Sequence, residues 1–149
     1  ENIAFVDYIN NKLNFRNKVA NSLKEVGLSP DIYKRYPAEI SGGMKKRVAL
    51  ARAIYKKPDV IFLDEPTTGL DPVNSDMINE LILRIIKKKK MTAITITHDI
   101  QSALKTGHNY HYLNEGIVED SGTCKKLLQS KNKFLNEFLL GVKNLQRNK

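Results

Sequence analysis

Two short β-branched runs separated by an amphipathic segment constrain this chain more than any other feature. "VIFLDEP", Val60 to Pro66, and "MTAITITHD", Met91 to Asp99, both end abruptly in polar residues. Pro58 and Asp59 open the first run, and Val60 to Leu63 read as a buried strand. Between the runs, Asn74 to Lys90 puts Ile78, Leu81, Ile82, Ile85 and Ile86 on one side of a helix. A strand, a helix and a strand in that order make a crossover unit, so the two strands are expected to be parallel in a sheet covered by helices. Ligands of such sheets bind beyond the carboxyl ends of the strands. Those ends carry Asp64 and Glu65 on one strand and Thr97, His98 and Asp99 on the other, and the two clusters are expected to share one crevice.

On the amino-terminal side, Lys18 to Val26 places Val19, Leu23 and Val26 at helical spacing, with Gly27 positioned to close the helix. "LSPDIYKRYP" supplies a Ser-Pro start, one or two turns and a Pro stop. A second helix should begin at Gly42-Gly43 and run to about Lys57, with Val48, Ala51, Ala53 and Ile54 turned inward. Downstream, "YHYLNEGIVEDSGT" reads as a hairpin around Asn114 to Gly116. Thr123 to Leu140 reads as a helix with Phe134, Leu135, Phe138 and Leu139 as its apolar stripe. His108, Asn109 and His111 make the first hairpin strand polar, as expected either of an edge strand or of a copy drifting under weak constraint. There is no internal repeat and no long linker.

Composition narrows the functional classes. With 149 residues, 41% of them hydrophobic, the chain can bury one core. The formal charge of +9 comes from Lys-rich runs such as Lys87 to Lys90, and no aromatic residues interleave with them as a single-strand stacking surface requires. Nucleic acid is therefore not an expected partner. Cys124 is the only cysteine, which excludes an internal disulfide or a CxxC metal or redox site. No apolar run is long enough to span a bilayer, and the opening "ENIAFVDYIN" lacks the pattern of a signal peptide. The chain opens without Met, in mid-pattern, and an upstream segment is expected.

Four features carry chemistry. Ser41-Gly42-Gly43 at a helix start offers unpaired N–H groups, a hydroxyl and the positive end of the helix dipole to an anion. Asp64 and Glu65, adjacent at a strand end, point in different directions, so one carboxylate can support Mg²⁺, usually through water, while the other faces a nucleophilic water. His98 could hydrogen-bond a γ-phosphate and help hold the attacking water. Asp71 lies in "TTGLDP" between Gly69 and Pro72. Taken singly, each has a plain reading: an N-cap, a solvated loop, a structural histidine, a turn residue. Their order and spacing together set them apart.

"ISGGM" followed by "KKRVALARAI" resembles the signature motif of ATP-binding cassette (ABC) transporter ATPases. "VIFLDEP" resembles their Walker B strand and its acidic follower, "TTGLDP" their D-loop, and "TITHD" their switch histidine. The resemblance covers nearly the whole chain. It implies an α/β, P-loop-NTPase-like ABC ATPase core, a parallel sheet with flanking helices, whose phosphate-loop part is missing. A helical signature subdomain would occupy about 11–57, the Walker B and switch-histidine core about 58–106, and a hairpin and helix about 107–149.

The same resemblance implies roles. Asp64 would assist Mg²⁺, Glu65 would act as general base or water-polarising group, and His98 would contact the γ-phosphate. Ser41, Gly42 and Gly43 would bind the γ-phosphate of ATP held by a second subunit in a head-to-tail homodimer, and Asp71 would work across that seam. A transmembrane permease would be the other partner, with the ATPase on the cytoplasmic side of the cell membrane. No glycine-rich loop ending in Gly-Lys-Ser or Gly-Lys-Thr occurs in the chain, so as given it is expected to be a fragment with little activity alone. Met44, where the commonest signature has Gln, together with the tail "NKFLNEFLLG", most resembles lipid-asymmetry (Mla-type) phospholipid transport ATPases. A non-catalytic remnant docking on a partner ATPase or permease, and a soluble ABC-type ATPase, are the alternatives.

Overall fold

The computed structural model describes residues 2–10 and 15–147. The expected start of the signature subdomain near residue 11 lies outside them. The chain divides into two compact units, Glu1–Ile96 and Thr97–Lys149.

In the first unit, α1 (Phe5–Ile9), α2 (Phe15–Glu25) and two 3₁₀ turns (Pro30–Lys34, Pro37–Glu39) precede α3 (Gly42–Ile54). Then follow β1 (Val60–Asp64), α4 (Pro72–Lys89) and β2 (Thr92–Ile96). The expected crossover is present: β1 and β2 are parallel, pairing Val60 with Thr92 through to Asp64 with Ile96. Helix α2 closes as its sequence predicts. Gly27 at φ 71° lets its own N–H reach Lys24 O at 3.0 Å and the N–H of Leu28 reach Leu23 O at 2.9 Å, which is the Schellman pattern.

The core of this unit joins Val19, Leu23 and Val26 to Leu50, Ala51 and Ile54 of α3, Ile61 and Leu63 of β1, and Ile78, Leu81, Ile82 and Ile85 of α4. Asp7 is buried beside it, accepting from Tyr55 Oη at 2.7 Å and pairing with Lys56. Burial, reinforced by that carboxylate, pushes the Tyr55 phenol up to about 12. The Lys87–Lys89 run occupies the last turn of α4, where cations meet the negative end of the helix dipole, and Lys89 pairs with Glu25 at 2.8 Å.

The expectation that β1 is buried on both sides is corrected. Ile61 and Leu63 face the core, whereas Val60 and Phe62 are 45% and 70% exposed, and exposed Ile94 of β2 lies opposite Phe62. A continuous apolar run is the mark of a strand covered on both faces. Among the described residues only one face of this pair is covered.

The second unit contains α5 (Ile100–Thr106), β3 (Asn109–Asn114), β4 (Ile117–Thr123), a 3₁₀ turn (Cys124–Gln129) and α6 (Lys133–Arg147). β3 and β4 form the expected antiparallel hairpin, and Glu115 and Gly116, at φ 48° and 81°, make its two-residue turn. His111 lies on the exposed side of β3, while Tyr110 and Tyr112 alternate inward onto Leu127, Leu135 and Leu139. Cys124 is buried, which pushes its thiol up.

The single helix expected over Thr123 to Leu140 is broken at Ser130 to Asn132. Ser130 Oγ accepts from the Asn132 N–H at 3.0 Å and bonds to Asp120, and Asn132 Oδ1 caps the N–H of Leu135 at 2.9 Å. Side chains that bond nearby backbone compete with helix continuation, and here they win. Of the expected stripe, Leu135 and Leu139 are buried and Phe134 is half exposed.

Leu23→Ala should lower unfolding free energy by about 2–5 kcal/mol, because Leu23 is fully buried. Phe62→Ala should change it by about 0.5 kcal/mol or less. Urea unfolding of the chain measures both, and equal losses would contradict the described core.

Candidate functional site

Ser41 to Gly43 begin α3 as expected. Ser41 is the N-cap, extended at φ −66° and ψ 163°, and its Oγ accepts from the Met44 N–H at 3.2 Å. It is exposed, and its hydroxyl hydrogen is left for another acceptor. A Cβ on Gly43 would meet nothing within 4 Å, and one on Gly42 would only reach Leu70 at 3.9 Å. The helix start is therefore open to a group approaching from outside, and it lies beside the loop that leads to Asp71.

That loop is built tightly. Asp71 caps α4, accepting from the Asn74 N–H at 3.0 Å and from the Asn74 side-chain amide. The side-chain amide first, and then the backbone N–H, hold the Asp71 carboxyl below the usual carboxylate range. Its plain reading as a helix cap is thus satisfied by geometry, and it remains exposed at the surface.

Asp64 ends β1, exposed, opposite Ile96. Glu65 takes φ 46°, a left-handed backbone that non-glycine residues seldom adopt and that the following Pro66 restricts further. Such a residue costs about 1–3 kcal/mol and persists only where its surroundings hold it. Its N–H donates to Ile96 O at 2.9 Å. Its carbonyl accepts from Lys46 Nζ at 2.9 Å and from the Thr68 N–H at 3.3 Å. Its carboxylate accepts from Thr68 Oγ1 at 2.7 Å. The turn re-aims Glu65 away from the strand direction kept by Asp64, so adjacent carboxylates serve different positions.

Within the first unit the structure brings Ser41–Gly43 and Asp64–Glu65 into one connected frame, because Lys46 of α3 bonds to the Glu65 carbonyl. Its neighbour Arg47 points elsewhere and donates to Val26 O at 3.0 Å. His98 belongs to the second unit, two residues past Ile96, and is exposed. Sequence reading missed Lys46 and Thr68. Thr68 stands three residues after Glu65 in a turn, a spacing that permits a side-chain bond. Lys46 left no comparable signal, since its partner is a backbone atom 19 residues away.

Residues 2–68 match the family model described as ABC transporter. Over this stretch, a little under half of its length, the chain is similar to ABC transporter ATPases. An energy-coupling factor transporter ATP-binding protein, EcfA2, of Clostridioides difficile is 39% identical over 127 residues, covering 85% of this chain and 44% of that protein. EcfA2 of Acetivibrio thermocellus is 36% identical, covering 76% and 40%. The glycine betaine/carnitine transport ATP-binding protein GbuA of Listeria monocytogenes is 36% identical, covering 83% and 31%. The chain thus spans less than half the length of these relatives. Among solved structures, the ATP-binding cassette MJ0796, described as a dimeric post-hydrolysis state bound to ADP and Pi, matches with TM-score 0.63 at 30% identity. That match covers 72% of this chain and 46% of the other, and the fold is that of an ABC ATPase.

Because its bonded form is the ionised one, the Asp71 cap contributes stability above the carboxyl's unfolded pKa and loses it as pH falls through the lowered folded value. Asp71→Asn caps without titrating. Melting temperatures of wild type relative to Asp71→Asn should therefore fall on acidification, and a difference independent of pH would contradict the cap.

Proposed function

We propose that the protein to which this chain belongs hydrolyses ATP as the motor subunit of a membrane transporter, working as a head-to-tail pair with a second copy. The observation that supports this reading is the open serine-glycine start of α3, whose glycines leave its N–H groups approachable from outside the copy that carries them. In this reading Ser41, Gly42 and Gly43 receive the γ-phosphate of ATP bound to the partner copy, with backbone N–H groups and the helix dipole meeting its charge. Glu65, turned out of the strand, polarises the attacking water. His98 contacts the γ-phosphate, and Asp71, at the rim beside α3, works across the seam between copies.

A lone exposed carboxylate such as Asp64 suits Mg²⁺, which keeps several waters and takes one or two carboxylates together with phosphate oxygens. When bound, the ion neutralises charge developing on the phosphates. Asp64 would hold it through water, and Glu65 would serve the nucleophile.

The transport partner is a permease, and the ATPase sits against it on the cytoplasmic side. Among the described residues no helix is long and apolar enough to cross a membrane. For cargo, Met44 in the signature favours a phospholipid permease. The names of the relatives favour energy-coupling factor or glycine betaine/carnitine systems instead. Residues 1–149 contain no phosphate loop with its lysine, so this stretch by itself should hold ATP weakly and turn it over very slowly.

In an ATPase subunit that contains this chain, Glu65→Gln should reduce turnover about 100-fold or more while ATP still binds. Steady-state phosphate release and nucleotide binding measured together test this. Normal turnover in the variant would remove Glu65 from the chemistry.

A further inference from the structure

We infer that Lys46 is a positioning residue for Glu65. This rests on the reading in which Glu65 polarises the attacking water. The backbone of Glu65 is in the left-handed region, and its carbonyl is held from the far side by the Lys46 ammonium at 2.9 Å, in a half-buried setting. Thr68 also bonds Glu65 from within the same turn, and Ile96 O accepts its N–H across the strand pair. Lys46 reaches Glu65 from α3, the helix that begins at Ser41 to Gly43.

The chemistry suits the task. An ammonium–carbonyl bond is charge-assisted and stronger than a neutral one. Removing it frees one end of a strained peptide whose side chain must point at a small target. A misplacement of about 1 Å can cost catalysis about 100-fold without touching substrate binding. Lys46 acts here through the bond from its Nζ to the Glu65 carbonyl, and the role needs no contact with ATP. Its loss should therefore appear in kcat and hardly in KM.

The test compares Lys46→Met, which keeps the stem and loses the charge, with Lys46→Arg, which restores a cationic donor, in an ATPase subunit that contains this chain. Glu65→Gln is measured alongside. Lys46→Met should lower kcat about 10- to 100-fold. KM for ATP should change about threefold or less, and Lys46→Arg should recover most of the loss. If Lys46→Met does not fold, Lys46→Gln, a shorter neutral donor, should show a smaller loss confined likewise to kcat. A Lys46→Met enzyme with kcat within about twofold of wild type overturns the proposal. So does a loss that Lys46→Arg leaves unrepaired, or one that falls on KM instead. If Glu65→Gln turns over normally, the reading of Glu65 fails and takes the proposal with it. If Glu65→Gln is dead while Lys46→Met is normal, only the proposal fails.

Discussion

Parallel strands cannot be joined by a short turn, and that constraint organises everything else in the first unit. The chain must leave the end of β1, run back along the sheet, and re-enter beside its own start. Helix α4 makes that return with Ile78, Leu81, Ile82 and Ile85 pressed into the core. The crossover delivers the end of β2 beside the end of β1, so Ile96 lies opposite Asp64 and its carbonyl receives the N–H of Glu65. The polar edge of the pair is thereby set by backbone pairing. Asp64 keeps the strand direction, and the left-handed turn sends Glu65 another way.

Helix α3 completes that edge from the outside. Its apolar residues Leu50, Ala51 and Ile54 dock it on the core, and Arg47 and Lys46 fix it at two different places, the closed end of α2 and the carbonyl of Glu65. A docked helix with a bare first turn is a rigid donor of N–H groups, and the two glycines leave those groups approachable. Electrostatic catalysis of phosphoryl transfer depends on donors and carboxylates that are already in place when charge develops.

Much of this was legible in the chain because it rests on periodicity and on turn chemistry. The α4 stripe, the Gly27 stop, the Ser41 cap and the Glu115-Gly116 turn each follow from a local rule, and each stands as read. The misreadings have physical causes. The run Val60 to Leu63 looks buried on both sides because its outward residues are apolar too, yet Val60 and Phe62 are exposed here. The tail looks like one helix because its stripe continues, while Ser130 and Asn132 divert the backbone with their own side chains. Contacts to a distant carbonyl, such as that of Lys46, have no sequence period at all. Family motifs supplied what local rules do not, namely which of several ordinary-looking polar residues to propose for one reaction.

The central claim is that a working site is shared, with Ser41 from one copy and Glu65 from the other. Complementation measures this directly. Ser41→Arg and Glu65→Gln subunits, each inactive alone, are mixed in an ATPase that contains this chain. A shared site predicts that mixed pairs regain one intact site, restoring about a quarter of wild-type turnover at equal proportions. A mixture as inactive as its components would contradict it, placing both residues in the same copy's site.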